Sequence, residues 1–233
     1  MDLSADAVGG WLQLPGSATA EVTGSVGFDF VCVDTQHGLI GEDALLTMLQ
    51  ALDATGTPTL VRVARNEPDV IGRALDRAAG GVVVPLVDTA EQAAAAVAAC
   101  RYPPRGVRSY GPTRGTWRER PDPVCVVMVE TAAAVAALAD ILAVPGVDGV
   151  FVGPSDLSLG TGTAQDGDPA FDALLTDIAG AVRAAGLPVG IFCASAAHVH
   201  RFRALGFTYF AGPSDAALLR GAAAEHRRRS APA

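Results

Sequence analysis

The stretch "GVVVPLVDTAEQAAAAVAACR", Gly81 to Arg101, reads as one complete β/α unit. The apolar run over 81–87 has no polar interruption, the pattern of a strand covered on both faces. At Asp88-Thr89 it gives way to an alanine-rich segment with Glu91 and Gln92 in its first turn, a helix-start signal that predicts a helix over 89–101. The same alternation recurs on either side. Strands are expected at "WLQL" (11–14), "FDFVCVD" (28–34), "TLVRV" (59–63), "CVVMVE" (125–130), "GVFVG" (149–153), "VGIFC" (189–193) and "TYFAG" (208–212). Helices are expected at about 41–53, 68–79, 131–143, 169–185, 195–205 and 214–227. Pro68 falls in the first turn of its helix, and Gly80, Gly186 and Gly206 each stand between a helical stretch and a strand. Eight such units predict an α/β fold of the (β/α)8 TIM-barrel type rather than a doubly wound sheet, which would want GxGxxG after an early strand. No linker interrupts the pattern, so residues 1–233 read as a single domain. The tetrapeptide "GPSD" occurs at 153–156 and 212–215, after a strand each time, and reads as reused turn chemistry.

Composition narrows the function. Half of the residues are hydrophobic and 18% are charged, ample for a core. Every apolar run is broken by Gly, Pro or a charge well short of the roughly 20 residues of a membrane span. The opening "MDLSADAVGG" has neither a basic nor an apolar leader region. A net charge of -8 argues against a nucleic-acid surface, and the terminal "HRRRS" reads as a solvated helix end. Cys32, Cys100, Cys125 and Cys193 show no CxxC spacing, and three lie in strand-like runs, which suits buried thiols in a reducing cytoplasm better than zinc or disulfides. All 17 basic residues are arginines, so a Schiff-base lysine is excluded. Carbonyl chemistry in this chain would have to use a metal, a bound cofactor or arginine.

In a barrel the chemistry sits at the C-terminal ends of the strands. Asp34 and His37 lie at one such end ("VCVDTQHG"), Arg62 at the next, then Glu130 and Asp156. Each alone has a plain explanation: Asp34 as a turn cap, His37 as a hydrogen-bonded loop residue, Arg62 in a surface pair, Asp156 as a helix cap. Glu130 is harder to explain, because a carboxylate closing the run "CVVMV" is costly unless paired or metal-bound. Together they make a set. Glu130 and Asp156 end consecutive strands and can converge on one hard cation, with other positions left to water or substrate, the usual manner of holding Mg²⁺ or Mn²⁺. Arg62 adds a fixed positive charge, Asp34 can orient His37 as a general base, and the amides around Ser155 can hold a carboxylate.

The motifs "GFDFVCVDTQHG", "VRVARNEP", "VVVPLV", "RYPPRGVRSYGPTR", "VMVET" and "GVDGVFVGPSDLS" resemble, in order, those of the HpcH/HpaI family of class II 2-oxo acid aldolases, from about Gly10 to Leu219. The resemblance implies a barrel of the phosphoenolpyruvate/pyruvate superfamily, usually a hexamer built from trimers with an exchanged C-terminal helix. By position it puts the metal carboxylates on Glu130 and Asp156, the base and its partner acid on His37 and Asp34, and the enolate-stabilising arginine on Arg62. It puts substrate binding on Arg62, Met128 and the turn Gly153, Pro154, Ser155 and Asp156. The implied reaction is reversible cleavage of a 4-hydroxy-2-oxo acid into pyruvate, or a related 2-oxo acid, and an aldehyde. The implied cofactor is a divalent ion, Mg²⁺ or Mn²⁺ first, with Co²⁺ or Zn²⁺ as alternatives. The partners are these small molecules and further copies of the chain, with neither nucleic acid nor membrane.

The sequence departs from the family at several points. Met128 stands where some members have Gln, Gln36 where several have Glu, and the segment 111–124 is shorter than its counterpart. Pro103 to Pro123 is the one long irregular loop and is expected to act as an active-site flap. On it, Arg108 and Arg114 could bind a distal acid group of the substrate or simply be solvated. Asp215 is expected to cap the last helix, and His198 and His200, two apart, make a poor metal pair. Two alternatives stand beside the aldolase. One is a citrate lyase β-like enzyme acting on a CoA thioester; the other is a catalytically silent protein that binds a metal or a 2-oxo acid.

Overall fold

The computed structural model describes residues 1–4, 6–117 and 121–231. Along the chain run β1 (Ala7–Leu12), α1 (Ser17–Gly24), β2 (Phe30–Asp34), α2 (Glu42–Thr55), β3 (Thr59–Arg62), α3 (Pro68–Asp76), β4 (Gly81–Val84) and α4 (Ala90–Cys100). Then come α5 (Arg114–Trp117), β5 (Val124–Val129), α6 (Ala132–Ala136), α7 (Leu138–Leu142), β6 (Gly149–Val152), α8 (Pro154–Thr161), α9 (Pro169–Ala184), β7 (Val189–Phe192), α10 (Ala196–Ala204), β8 (Tyr209–Ser214) and α11 (Asp215–Arg229). The strands close in sequence order into a parallel barrel, with β8 returning to β1. The (β/α)8 expectation holds.

Alternation within the strands sorts side chains into two layers. Val31, Val33, Val61, Val82, Val127 and Val129 point outward, into the larger core shared with the helices. Trp11, Phe30, Cys32, Leu60, Val83, Val126, Met128, Phe151 and Tyr209 fill the interior of the ring. That interior is closely fitted, large against small: a Cβ on Gly9 would stand 2.2 Å from the Phe30 ring, and one on Gly190 2.1 Å from Tyr209. Because alternation has period 2, the inward series Phe30-Cys32 ends at Asp34, Leu60 leads to Arg62, and Val126-Met128 leads to Glu130. Polar groups thus arrive at the open C-terminal rim by the same rule that buries their neighbours.

Several expectations need correction. β1 starts at Ala7, four residues before the expected strand; Gly9 and Gly10 mask it, and Gly9 is small because Phe30 occupies the space of its side chain. α1 and α5 were not anticipated, and α8 only as a helix start near Ser155 and Asp156. The expected helix 131–143 is two short ones, joined at Ala137. The chain turns left-handed before β4 at Ala78 (φ 69°), and Gly80 does not supply that turn. The Pro103–Pro123 segment joins α4 to β5, an αβ connection, and so lies at the N-terminal end of the barrel, opposite Glu130. It is no flap over the site of its own chain. Its Arg108 pairs with Asp76 (2.7 Å) and its Arg114 with Asp53, which fixes both at that far end, away from the rim cavity of their own chain. Residues 118–120 of this loop lie outside those described.

Candidate active site

Asp34 and Arg62 are register partners on adjacent strands, both inward. Arg62 grips the carboxylate with two prongs, Nε to Oδ1 at 2.9 Å and Nη2 to Oδ2 at 2.6 Å, and the pair is buried, at 0% and 8% exposure. Oδ2 also accepts from Trp11 Nε1 (3.2 Å) and Gln13 Nε2 (3.1 Å). Oδ1 accepts from the main-chain amides of Gln36 (3.0 Å) and His37 (3.2 Å). Burial pushes this carboxyl up, but the Arg62 bonds and charge, with Gln13 and the His37 amide, outweigh it and hold it below the usual carboxylate range. One expectation changes here. Among the described residues no bond runs from Asp34 to the His37 ring; the acid holds the main chain on which the histidine stands. Asp34's oxygens are committed, whereas Nη1 of Arg62 has no protein partner among the described residues. Arg62 also sits 4.9 Å from the centroid of the Trp11 ring.

Glu130 is 2% exposed. Its Oε1 accepts from the Leu86 amide at 2.8 Å. Leu86 adopts a left-handed conformation (φ 54°), a cost of about 1 kcal/mol for a residue with a Cβ, and this turns its N–H toward the carboxylate. The other oxygen, Oε2, receives no protein hydrogen bond among the described residues. Burial pushes the Glu130 carboxyl above its ordinary value, the Leu86 amide draws it back, and the negative charge of Asp156 raises it further. Thr131 follows at once and caps α6, its hydroxyl accepting from the Ala134 amide (2.9 Å) and donating to Asp88.

α8 begins at the end of β6, with Gly153 at its cap and Pro154 in its first turn. The first intrahelical bond runs from the Leu157 amide to the Gly153 carbonyl, so the amides of Ser155 and Asp156 have no helical acceptor and are open to an anion. The second "GPSD" also opens a helix, but there Ser214 is the cap, accepting from the Ala217 amide. Asp215, the first residue of that helix, accepts from the Ala216 amide (2.8 Å) and also from the main-chain amides of Gln13 (2.8 Å) and Leu14 (3.2 Å), and so fastens the chain just after β1 to the start of α11.

One cavity of about 170 Å³ is lined by His37, Arg62, Met128, Glu130, Gly153, Pro154, Ser155 and Asp156. All the anticipated site residues meet there, with Asp34 directly behind Arg62. The same wall includes Trp11, Gln13, Phe151 and Phe192, which sequence reasoning missed. Trp11 stacks on Phe151 and meets Phe192 edge-on, both at 5.6 Å between centroids. The signal in the sequence was partial: period-2 counting turns Trp11 and, past the end of β1, Gln13 inward and puts Phe151 two before Gly153, but it does not set their level in the barrel. His198 is elsewhere, 3.1 Å from Asp166.

The donor set fits a hard divalent cation. Two carboxylates from neighbouring strand ends face one cavity, one is buried with an oxygen that has no partner among the described residues, and their mutual repulsion is what a cation would relieve. Packing at Gly153 is tuned to the same group. A Cβ there would come 2.6 Å from Glu130 Oε2 and 3.2 Å from Met128 Cε, although the backbone (φ -90°) accepts alanine without strain. Gly153→Ala is therefore expected to fold normally but to weaken Mn²⁺ binding roughly 10–100-fold by displacing the carboxylate. Calorimetric titration of the variant beside a melting curve checks this.

Comparison with known proteins agrees with this fold. The chain is 39% identical over 229 residues to a 2-dehydro-3,6-dideoxy-6-sulfogluconate aldolase of Pseudomonas putida, covering 94% of this chain and 90% of that one. It is also 39% identical over 230 residues to a 4-hydroxy-2-oxo-heptane-1,7-dioate aldolase of Salmonella arizonae, covering 93% and 88%. A crystal structure of an HpcH/HpaI aldolase/citrate lyase family protein from Burkholderia cenocepacia J2315 superposes with a TM-score of 0.90 at 29% identity, over 97% of this chain and 95% of that one. The family model described as HpcH/HpaI aldolase/citrate lyase matches residues 8–222, and the chain belongs to that family.

Proposed function

We propose that the protein is a divalent-metal-dependent aldolase that reversibly cleaves a 4-hydroxy-2-oxo acid into pyruvate, or a related 2-oxo acid, and an aldehyde. The observation that carries this is the meeting of Glu130, Asp156, Arg62 and His37 on one small cavity at the C-terminal rim. Glu130 and Asp156 would hold the metal, which supplies a Lewis acid for the oxygens of the 2-oxo acid. The Ser155 and Asp156 amides receive the substrate carboxylate. Arg62, fixed by Asp34 through Nε and Nη2, turns its free Nη1 to the keto oxygen, where negative charge develops as the bond breaks. His37, exposed on a loop held by Asp34, takes the proton from the 4-hydroxyl. The C3–C4 electron pair passes into the enolate of pyruvate, the aldehyde leaves, and return of the proton held by His37 to C3 completes the cycle and restores the base. In reverse, the enolate attacks an aldehyde.

The carboxylate-only donor set favours Mg²⁺ or Mn²⁺, with Co²⁺ or Zn²⁺ next. Assembly into a trimer or hexamer is part of the proposal. α11 buries none of its own residues and exposes Leu218 and Leu219, apolar surface suited to a second copy. No described helix is long and apolar enough to cross a membrane. Four buried free thiols suit a reducing cytoplasm. The test couples pyruvate release from a 4-hydroxy-2-oxo acid to lactate dehydrogenase. Turnover is expected with Mg²⁺ or Mn²⁺ and is expected to vanish with EDTA and return on adding metal back. Undiminished turnover in EDTA would remove the metal from the proposal.

A further inference from the structure

Gln13 continues the inward series Ala7, Gly9, Trp11 past the end of β1 and reaches the cavity wall. Its polar atoms are committed one by one. The main-chain amide donates to Asp215 Oδ1 (2.8 Å), and the carbonyl accepts from the Leu39 amide (2.8 Å), just after the His37 turn. The side-chain Nε2 donates to Asp34 Oδ2 at 3.1 Å. That last contact settles which way the amide points. Asp34 is an ionised carboxylate gripped by Arg62 and can only accept, so the NH₂ end must face it. The amide carbonyl Oε1 and the second Nε2 hydrogen are the remainder. Oε1 receives no hydrogen bond among the described residues, and it belongs to a side chain on the cavity wall. The cavity it lines has an apolar part, Trp11, Met128, Phe151 and Phe192, beside the charged and polar residues of the site. Met128 has no strong acceptor to offer. A fixed carbonyl on that wall without a partner among the described residues rewards a hydroxyl group and offers nothing to a methyl in its place.

We propose that Gln13 is a specificity-determining residue whose side-chain carbonyl accepts a hydrogen bond from a hydroxyl on one of the two reacting partners, so that the enzyme prefers hydroxylated substrates to their deoxy counterparts. The hydroxyl is carried either on C3 of the 2-oxo acid or on C2 of the aldehyde. The inference rests on the aldolase reading. Asp34 gives it rigidity: the donor end of the amide is anchored, so the acceptor end is presented without a search through rotamers.

Two substrate pairs test it in the Mg²⁺-loaded protein. Hydroxypyruvate is compared with pyruvate, using acetaldehyde as the common acceptor. Glycolaldehyde is compared with acetaldehyde, using pyruvate as the common donor. Wild-type kcat/KM is expected to favour the hydroxylated member of one pair, and the pair identifies which partner carries the group. Gln13→Met, close in size but without an amide, is expected to cut that preference about tenfold, while the other pair's ratio stays as it was. Equal losses for both members would mean that Gln13 acts only through Asp34, and would overturn the proposal. So would a wild-type enzyme without preference in either pair, a result that needs no variant to fold. Absence of any turnover would overturn the aldolase reading and this inference with it. Turnover without preference would remove this inference alone.

Discussion

Glu130→Ala is expected to abolish cleavage, with kcat/KM falling at least roughly 10³-fold, on the order of 4 kcal/mol of transition-state stabilisation. The size follows from the place of Glu130 in the set. Asp156 alone, exposed on the first turn of α8, leaves a cation with one protein carboxylate. The variant separates function from stability, because Glu130 is a burden to the empty fold. Burial and the charge of Asp156 raise its pKa above the ordinary value. At neutral pH the ionised group is therefore worse off in the folded state than in the unfolded one, and removing its charge helps the fold. The isosteric Glu130→Gln is accordingly expected to melt at or above the wild-type temperature without metal, to gain no stability when Mn²⁺ is added, and to be inactive. Wild type is expected to gain stability from the same addition. A Glu130→Gln protein that turns over normally would end the metal assignment. His198→Ala serves as the control: its partner is Asp166, and its activity is expected to stay near wild type.

Why a stable fold would keep such a residue bears on how much of the site could be read in the sequence. A carboxylate at the end of "CVVMV" contradicts its surroundings, and contradictions of that kind mark functional positions. The same holds for Asp34 after "FVCV" and Arg62 after "TLV". In each case period 2 carries the polar residue inward at the rim, so burial and function were legible together. The aromatic wall was not, because Trp11, Phe151 and Phe192 look like any other core residues in a strand; only their level in the barrel makes them part of the site. The break between α6 and α7 had no signal either, since "AAAVAALADIL" contains no Gly or Pro and its residues favour an unbroken helix. The long Pro- and Gly-rich segment was legible and was misread. Its composition suggested a lid, but chain order decides its place: a segment between a helix and the next strand of a parallel barrel returns to the N-terminal end. Asp34 shows the limit of motif reasoning. An acid three residues before a histidine suggested a dyad, yet the strand places its carboxylate beside the neighbouring Arg62, and His37 receives only a main-chain contact.

That arrangement gives the second large effect. Arg62→Ala is expected to lower kcat roughly 10²–10³-fold, since it deletes the donor aimed at the developing enolate charge. Unlike Glu130→Gln, it is expected to damage the fold too. Asp34 is 0% exposed, and stripping a buried carboxylate of its partner costs about 3–5 kcal/mol, softened here by the remaining bonds from Trp11, Gln13 and two main-chain amides. Acidity then separates the two losses. In wild type the folded-state pKa of Asp34 lies below its unfolded value, so the pair's stabilisation is complete above the ordinary carboxylate range and is lost as pH falls through the lowered folded value. Without Arg62, burial is no longer outweighed by the ion pair, and the acid-unfolding midpoint is expected to move to higher pH. Arg62→Lys keeps the charge but cannot span both oxygens, so it is expected to recover part of the stability and little of the rate. The double substitution Arg62→Ala, Asp34→Asn removes the buried charge along with its partner and is expected to restore melting toward wild type, while cleavage stays as low as in Arg62→Ala. Restored cleavage in that double variant would show Arg62 to be a counter-ion for Asp34 and nothing more.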